Sequence, residues 1–205
     1  MAGSQGSALA VAVSNAGGLG SLPCAMLGPE AMRKELAEIR RQTSRPYNVN
    51  FFCHAQPEPD ARREAIWRQA LSPYFNEFGI DMNAIPAGPG RLPFSAEAAD
   101  VLEEFKPAVV SFHFGLPEKA LLERVKAAGC LVMSSATTVD EARWLVQHGV
   151  DAVIAQGLEA GGHRGLFLTD DLTTQVGTLA LLPQIVAAVR VPVIAAGGVG
   201  SDRKS

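Results

Sequence analysis

The stretch DAVIAQGLEAGGHRG, residues 151–165, decides the fold because an apolar run passes there directly into a polar, glycine-rich segment. The run AVIAQ at 152–156 is short and uncharged, which is typical of a strand buried on both faces of a parallel sheet. The segment that follows holds a glutamate, an arginine, several glycines and His163. This order predicts a strand that is followed, at its carboxyl end, by a flexible loop with polar and titratable side chains.

Five further runs along the chain have the same apolar or β-branched character. They are LGSL (19–22), YNVNFF (47–52), AVVSFH (108–113), LVMSSA (131–136) and PVIAAG (192–197). Amphipathic segments lie between them, with apolar residues spaced as in Met32, Leu36 and Ile39. The alternation of strands and helices predicts an α/β fold with a parallel sheet.

Helix signals support this interpretation. Apolar residues at helical spacing occur at Leu121 and Val125, and again at Ala142, Leu145 and Val146. Pro29 stands at a first helical position, which tolerates its missing N–H. Thr138 and Glu141 have the spacing of a capping box, in which the two residues cap each other's backbone at the start of a helix.

A parallel sheet of this kind is either doubly wound or closed into a (β/α)8 TIM barrel. In a barrel, polar and glycine residues follow every strand, whereas a doubly wound sheet concentrates them at one switch point. Here such residues follow each of the runs, as in SFHFG, SSAT and AAGGVG. The sequence therefore favours the TIM-barrel type.

Six strands are fewer than a closed barrel requires, and barrels typically need about 250 residues, whereas this chain has 205. The first residues are helix-like with no strand before them, and the chain stops just after a strand. We therefore expect a single, incomplete barrel domain over 1–205, without its first strand and its C-terminal part. The interval at about 57–100 exceeds one crossover and predicts a helical and loop insertion.

Composition excludes several classes of partner. The formal net charge is -3, with no block of basic residues to track nucleic acid. No apolar run approaches the roughly 20 residues that span a bilayer, and the first residues lack the basic region followed by an apolar block that is typical of a signal peptide. We expect no nucleic-acid or membrane partner and a cytoplasmic location. Cys24, Cys53 and Cys130 are odd in number and widely spaced, so we expect reduced thiols and no metal site.

His163 is the leading candidate for catalysis. An imidazole titrates near pH 6.5, so it can take a proton from a carbon acid at neutral pH. Such chemistry needs an electron sink, and the sequence suggests neither a Schiff-base lysine nor a metal cluster, which leaves a bound cofactor. The alternative is an exposed loop histidine without a role.

Glycines beside His163 and after the last strand are candidates for contact with that cofactor. Gly161 and Gly162 would let the backbone approach a flat ligand. The loop AAGGVG at 195–200 is of the type that binds phosphate, and barrels often bind phosphate after their last strands. Glycine also serves simple turns, so the alternative stays open.

Polar residues at other strand ends complete the candidate site. His113 would lie at the barrel mouth, either as a substrate contact or as a core histidine. Asn50 and Gln156 have amides that suit the edge of a heterocycle, although both could be ordinary strand caps. His54 and His148 are weaker candidates: His148 precedes Gly149 at a helix end.

Taken together, NAGGLGSL, NVNFF, SFHFGLP, QGLEAGGHRG and VIAAGGV resemble the nitronate monooxygenase family, formerly called 2-nitropropane dioxygenases, in order and spacing. The resemblance runs through essentially the whole chain. GLEAGGHRG is its most specific element and is shared with FMN-dependent enoyl-acyl-carrier-protein reductases and some NAD(P)H:quinone reductases. VSFHFGLP favours nitronate monooxygenase.

The resemblance implies an FMN-containing TIM barrel that oxidises alkyl nitronates, such as propionate 3-nitronate, with O2 and without a metal. It implies that His163 is the base that deprotonates neutral nitroalkanes and that His113 contacts the substrate. The FMN contacts it implies are Asn50, Gln156, Gly161, Gly162, Gly197 and Gly198.

Two alternatives remain open. The first is an FMN-dependent reductase that transfers hydride from NAD(P)H to a quinone or an enoyl thioester. The second is a truncated remnant without catalysis. Against the family pattern, a first strand and everything after the seventh strand are missing. We therefore expect this chain to bind FMN weakly or not at all and to expose sheet edges.

Overall fold

The structure, a computed structural model, describes residue 3 and residues 5–85 and 91–200 of the chain. These residues divide into two compact units. The larger unit comprises Met1–His54 and Leu92–Ser205, and the smaller comprises Ala55–Arg91. The predicted insertion at about 57–100 is thus divided between them, because the helix that begins at Ala96 belongs to the larger unit.

Six parallel strands form the sheet of the larger unit. They are β1 (Gly20–Pro23), β2 (Tyr47–Phe52), β3 (Val109–His113), β4 (Leu131–Ala136), β5 (Ala152–Gln156) and β6 (Val193–Ala196). Each predicted strand is present, with its ends displaced by no more than one residue. The β5 prediction is matched at both ends.

The strands lie side by side in the order of the sequence, from β1 to β6. Every neighbouring pair is parallel, with registers such as Asn50 opposite Ser111 and Gln156 opposite Ala196. A doubly wound sheet would reverse this order at a switch point, whereas a barrel keeps it sequential. The predicted α/β fold of TIM-barrel type is therefore confirmed, as a partial barrel.

Helices follow the strands as the βα pattern requires. Those of the larger unit are α1 (Ser7–Asn15), α2 (Pro29–Gln42), α4 (Ala96–Phe105), α5 (Lys119–Ala127), α6 (Val139–Gln147) and α7 (Thr178–Ala188), with a 3-10 turn at Leu172–Thr174. The smaller unit contains α3 (Ala61–Glu77), whose first turn is capped by the Asp60 carboxylate. No residue of α3 is buried.

Local signals explain why these helices start and pack as they do. Pro29 is the first residue of α2, and Met32, Leu36 and Ile39 form its buried face. In α5 the core residues are Leu122 and Val125, so the predicted Leu121 is only partly buried. Leu121 and Leu122 stand four and three residues before Val125, so both can share its face, and Leu121 packs at the edge of the same core.

Alternation along the strands separates two faces of the sheet. One face packs beneath the helices and is fully buried; its side chains include Val49, Val110, Phe112, Val132 and Val153. The other face holds small and polar side chains near the carboxyl ends, among them Asn48, Asn50, Ser111 and His113. The hydrophobic core therefore lies between the sheet and the helices, and the candidate site residues lie on the opposite face.

Candidate active site

The carboxyl ends of parallel strands meet at one edge of a sheet, and the predicted site residues lie along that edge. They are Asn50 on β2, His113 at the end of β3, Gln156 at the end of β5, Gly161, Gly162 and His163 in the loop after β5, and Gly197 and Gly198 after β6. The loop that joins β5 to α7, residues 157–177, contains the greatest share of them and is called the β5 loop here.

The imidazole of His163 lies in an aromatic cluster at this edge. Its ring centroid is 5.3 Å from that of Phe52 and 5.8 Å from that of Phe114, in edge-to-face geometry. Phe114 also contacts His113, with centroids 4.4 Å apart, and His54, at 6.1 Å. The aromatic cluster therefore joins three histidines and two phenylalanines over the ends of β2 and β3.

His113 is held in one orientation and kept neutral. Its Nδ1 lies 3.0 Å from the hydroxyl oxygen of Ser135 on β4. Burial lowers the pKa of His113 to about 4; the charge of the nearby His163 lowers it too, and a hydrogen bond with the His163 backbone acts in the opposite sense. At neutral pH the ring is thus uncharged, with one nitrogen to donate a proton and one to accept.

The backbone turn after β3 explains how Phe114 reaches this position. Phe114 has a φ of 68°, a left-handed conformation that a bulky residue adopts only when its surroundings impose it. The buried hydroxyl of Ser134 fixes the turn by donating to the carbonyl of Gly115, at 2.7 Å. The strained backbone thereby directs the phenyl ring toward the histidines.

Gln156 ties the β5 loop back onto the strand from which it leaves. Its Nε2 donates to the His163 carbonyl at 2.9 Å, and its Oε1 accepts from the Gly165 N–H at 2.7 Å. The sequence predicted a cofactor contact here. In the structure the amide fixes the backbone on both sides of Arg164.

Glu159 anchors the beginning of the same loop. Its carboxylate accepts from the Thr178 N–H at 2.6 Å and faces the Thr178 hydroxyl at 2.8 Å, at the first residue of α7. These hydrogen bonds lower the pKa of Glu159. A carboxylate at a helix N-terminus is favourable because the free N–H groups and the helix dipole attract negative charge.

Two kinds of glycine occur at this edge. A Cβ on Gly157 would lie 2.0 Å from the Thr178 hydroxyl oxygen, and one on Gly197 would lie 2.7 Å from it, so both positions exclude a side chain. Gly161 and Gly162, by contrast, have nothing within 4 Å of an added Cβ. Their backbone is open to the approach of a ligand.

A polar group on the inner face of the sheet adds to the capacity for binding. Asn48 and Asn50 both donate from Nδ2 to the Ser111 hydroxyl oxygen, at 2.8 and 2.9 Å. The Oδ1 of Asn48 is buried and has no hydrogen-bond partner among the described residues. An unpaired buried acceptor costs free energy, so a donor that reached this oxygen would be stabilised there.

These features fit a flavin better than a metal ion. Open glycine backbone, amides at two strand ends and an unpaired buried acceptor suit a flat heterocycle that carries donors and acceptors on its edge. Among the described residues, no three His, Cys, Asp or Glu side chains come together as metal ligands. Cys24, Cys53 and Cys130 are free thiols, as predicted.

Several residues of this edge were not predicted. Phe52, Phe114, Ser135 and His54 enter the aromatic cluster or support it, although the sequence analysis ranked His54 low. His148, also ranked low, stacks instead on Trp144 in α6, with ring centroids 3.7 Å apart. The one available signal for Phe114 was its place between a histidine and a glycine at a strand end.

Comparison with known proteins gives a consistent result. The family model described as nitronate monooxygenase matches residues 1–204. A nitronate monooxygenase of Paraburkholderia phytofirmans is 44% identical over 97% of this chain, and one of Pseudomonas aeruginosa is 42% identical over 99%. The chain spans 55% and 58% of the lengths of these two relatives.

Solved structures show the same likeness. A nitroalkane oxidase from Streptomyces ansochromogenes superimposes with a TM-score of 0.84 at 38% identity, over 97% of this chain and 57% of that one. FabK from Thermotoga maritima superimposes with a TM-score of 0.70 at 28% identity, over 98% of this chain and 50% of that one.

Proposed function

The chain belongs to the nitronate monooxygenase family, and from this premise we propose that it carries the catalytic base and part of the flavin site of an enzyme that oxidises alkyl nitronates. The proposed reaction consumes a nitronate, such as propionate 3-nitronate, and O2, and yields a carbonyl compound and nitrite. The observation that carries the proposal is the position of His163, whose ring packs against Phe52 and Phe114 at the carboxyl ends of the strands.

Members of this family generally depend on a flavin, and we propose FMN for this protein. The residues that would hold it are Asn50, Gln156, Gly161, Gly162, Gly197 and Gly198. Asn50 and Gln156 would offer amide groups to the ring edge, and the open backbone at Gly161 and Gly162 would admit the ring. When bound, the flavin supplies the electron sink that the protein's own side chains lack.

His163 would act on the substrate as a general base. A neutral nitroalkane must lose a proton from the carbon beside the nitro group, and a ring nitrogen of His163 would receive it. A preformed nitronate has already lost that proton and would not need the base. His163 therefore extends the substrate range from nitronates to nitroalkanes.

His113 would complement this base without competing with it. Because burial lowers its pKa to about 4, His113 stays uncharged while His163 gains a proton. Its position beside Phe114 would place a neutral hydrogen-bonding group next to the nitro group of the substrate. Phe52 and Phe114 would exclude water and receive the alkyl chain.

One substitution tests the proposal. In the full-length, FMN-loaded protein, His163→Asn should abolish oxidation of neutral nitroalkanes, by at least the roughly hundredfold that a general base contributes, while oxidation of preformed nitronates changes little. His148→Asn, at the exposed end of α6, is the matched control and should affect neither substrate. Equal loss on both substrates would show that His163 has another task.

A second candidate is a flavin-dependent reductase that takes hydride from NAD(P)H, because the GLEAGGHRG element of this chain is also typical of such reductases. Anaerobic mixing of the full-length, FMN-loaded protein, first with NADH and then with propionate 3-nitronate, separates the two. Bleaching of the flavin by the nitronate and not by NADH supports the monooxygenase. The reverse result supports the reductase.

The proposal also concerns where the enzyme works. Within the described ranges, no helix has both the length and the apolar content to cross a membrane. We propose a cytoplasmic location, where the substrates would be small nitro compounds and O2. Cell fractionation followed by detection of the protein tests this.

A further inference from the structure

Glu141 is a fully buried carboxylate that the proposed reaction does not use. It lies in the first turn of α6, and its side chain has no exposed surface. Of the ion pairs among the described residues, none includes Glu141. A buried charge without a counter-ion is tolerated only when hydrogen bonds satisfy it, so the donors to Glu141 determine whether it is stable there.

The two oxygens of Glu141 accept from different parts of the chain. Oε2 accepts from the backbone N–H of Thr137 at 2.7 Å and from its hydroxyl at 2.8 Å. Oε1 accepts from the N–H of Phe167 at 2.8 Å and of Leu168 at 3.3 Å. One carboxylate thus joins the start of α6 to the β5 loop, 26 residues further along the chain.

Packing of the Phe167 side chain holds the same segment of the β5 loop in place. The ring of Phe167 lies so close to Gly115 that an added Cβ there would be 3.2 Å from it. On the other side the ring meets Trp144 of α6, with centroids 5.1 Å apart. Phe167 therefore fills the space between α6 and the turn that presents Phe114.

Only three residues separate Phe167 from His163. Gly165 lies between them and is itself held through its N–H by Gln156. With Phe167 and Leu168 fixed by Glu141, the backbone from 163 to 168 has little freedom to move. The segment that carries His163 is thus anchored by Gln156 at one end and by Glu141 at the other.

We propose that Glu141 is a positioning residue, whose buried carboxylate fixes the β5 loop so that His163 stays within the aromatic cluster. This inference rests on the proposed function, which makes His163 the base. Glu141 touches neither substrate nor cofactor in this scheme. It acts through the N–H groups of Phe167 and Leu168.

Glu141→Gln is the direct test because it keeps the shape and removes one acceptor. The glutamine amide has one acceptor oxygen and one NH2 group. Either the two donors of Thr137 or the N–H groups of Phe167 and Leu168 therefore lose their acceptor. Hydrogen exchange at the Phe167 and Leu168 amides should accelerate by roughly tenfold or more. The rings of Phe52 and Phe114 should shift the NMR signals of the His163 ring protons in the original protein, and in the variant these signals should move toward those of an unpacked histidine.

Two matched variants separate positioning from a general loss of stability. Glu123→Gln removes an exposed carboxylate of α5 and should change neither readout. Thr137→Val removes one donor from the other oxygen of Glu141 and leaves the bonds to Phe167 and Leu168 intact. It should lower stability and yet keep the His163 ring protons shifted.

The outcomes are distinct. Glutamine can keep the Phe167 and Leu168 amides protected by turning its one oxygen to them, so Glu141→Leu, which removes both acceptors, decides the matter. A Glu141→Leu protein whose His163 ring protons stay shifted overturns the proposal. Should that variant not fold, Glu141→Asp keeps the charge but is one methylene too short to join Thr137 to the β5 loop, and the shift of the His163 ring protons should decrease. Both readouts are recorded without substrate or cofactor. If the loop is released while nitroalkane oxidation is unchanged, the positioning stands and the role of His163 as base fails.

Discussion

The turn after β3 and the β5 loop each present one histidine to the same aromatic cluster, but they hold it in different ways. His113 follows its strand directly and is fixed by its neighbour Ser135 across the sheet. His163 stands seven residues after Gln156, in a loop that Gln156, Glu159 and Glu141 hold by hydrogen bonds. The short turn secures its histidine by burial, and the long loop secures its histidine by hydrogen bonds to the backbone.

The difference suits the two tasks that we propose. Burial is what lowers the pKa of His113, so rigidity and loss of charge come together in the short turn. A general base must exchange protons with a substrate, which requires a place that is ordered but accessible. Anchoring the loop at its backbone leaves the His163 ring available.

The largest effect is expected where the β5 loop leaves its strand. Gly157→Ala would place a Cβ 2.0 Å from the Thr178 hydroxyl oxygen and 2.4 Å from its backbone. Because backbone atoms must move, we expect a loss of about 3 kcal/mol or more in the free energy of unfolding. Chemical denaturation measures it.

Gly161→Ala is the matched control in the same loop. Nothing lies within 4 Å of its added Cβ, so stability should stay within about 0.5 kcal/mol of the original. Equal losses at the two positions would mean that the loop is not held against α7 as described.

A smaller effect is expected on the pH dependence of stability, through the protonation of His113. Its pKa of about 4 in the folded protein lies below the ordinary 6.5, so below pH 6.5 the unfolded chain binds the proton first. Stability is therefore full above pH 6.5 and falls as the pH decreases toward 4. Between pH 7 and pH 5 the loss should be about 2 kcal/mol.

Replacing the group should remove this dependence. His113→Gln should flatten the stability profile between pH 7 and pH 5, measured by denaturation at each pH. His148→Gln, at an exposed position on α6, should leave the profile of the original protein. A His113→Gln protein with an unchanged profile would show that other groups cause the acid sensitivity.

The smallest effect is expected at the hydrogen bond that orients His113. Ser135→Ala leaves the imidazole Nδ1 without its partner and should cost about 1 kcal/mol. Nitrogen NMR of the His113 ring should also show a changed ratio of the two neutral tautomers. An unaltered ratio would mean that Ser135 does not determine which ring nitrogen carries the proton.

The strands could be predicted from the sequence because their signals are local. Each strand is a short apolar run that ends in a polar residue or glycine, and the barrel order follows from such ends after every strand. Residues that touch the site directly were accessible in the same way, since His113, Gln156 and His163 stand at or beside a strand end. Their roles in catalysis and cofactor binding stay predictions.

The supports of the site could not be predicted because their partners are distant in sequence. Glu141 has the spacing of a capping box with Thr138, and its N–H does bond the Thr138 hydroxyl. Its carboxylate, however, turns to Thr137 and to the β5 loop. For Phe114 the sequence offers only its place between a histidine and a glycine, since its left-handed backbone depends on the packing of the turn.

The stacking of Trp144 between His148 and the ring of Phe167 gives the protein an optical reporter of its own. The chain has two tryptophans, and the other, Trp67, is 65% exposed in the smaller unit. A Trp67→Phe protein would thus emit from Trp144 alone, beside the segment that carries the loop. Its fluorescence would follow, in real time and without a label, each departure of Phe167 from its seat.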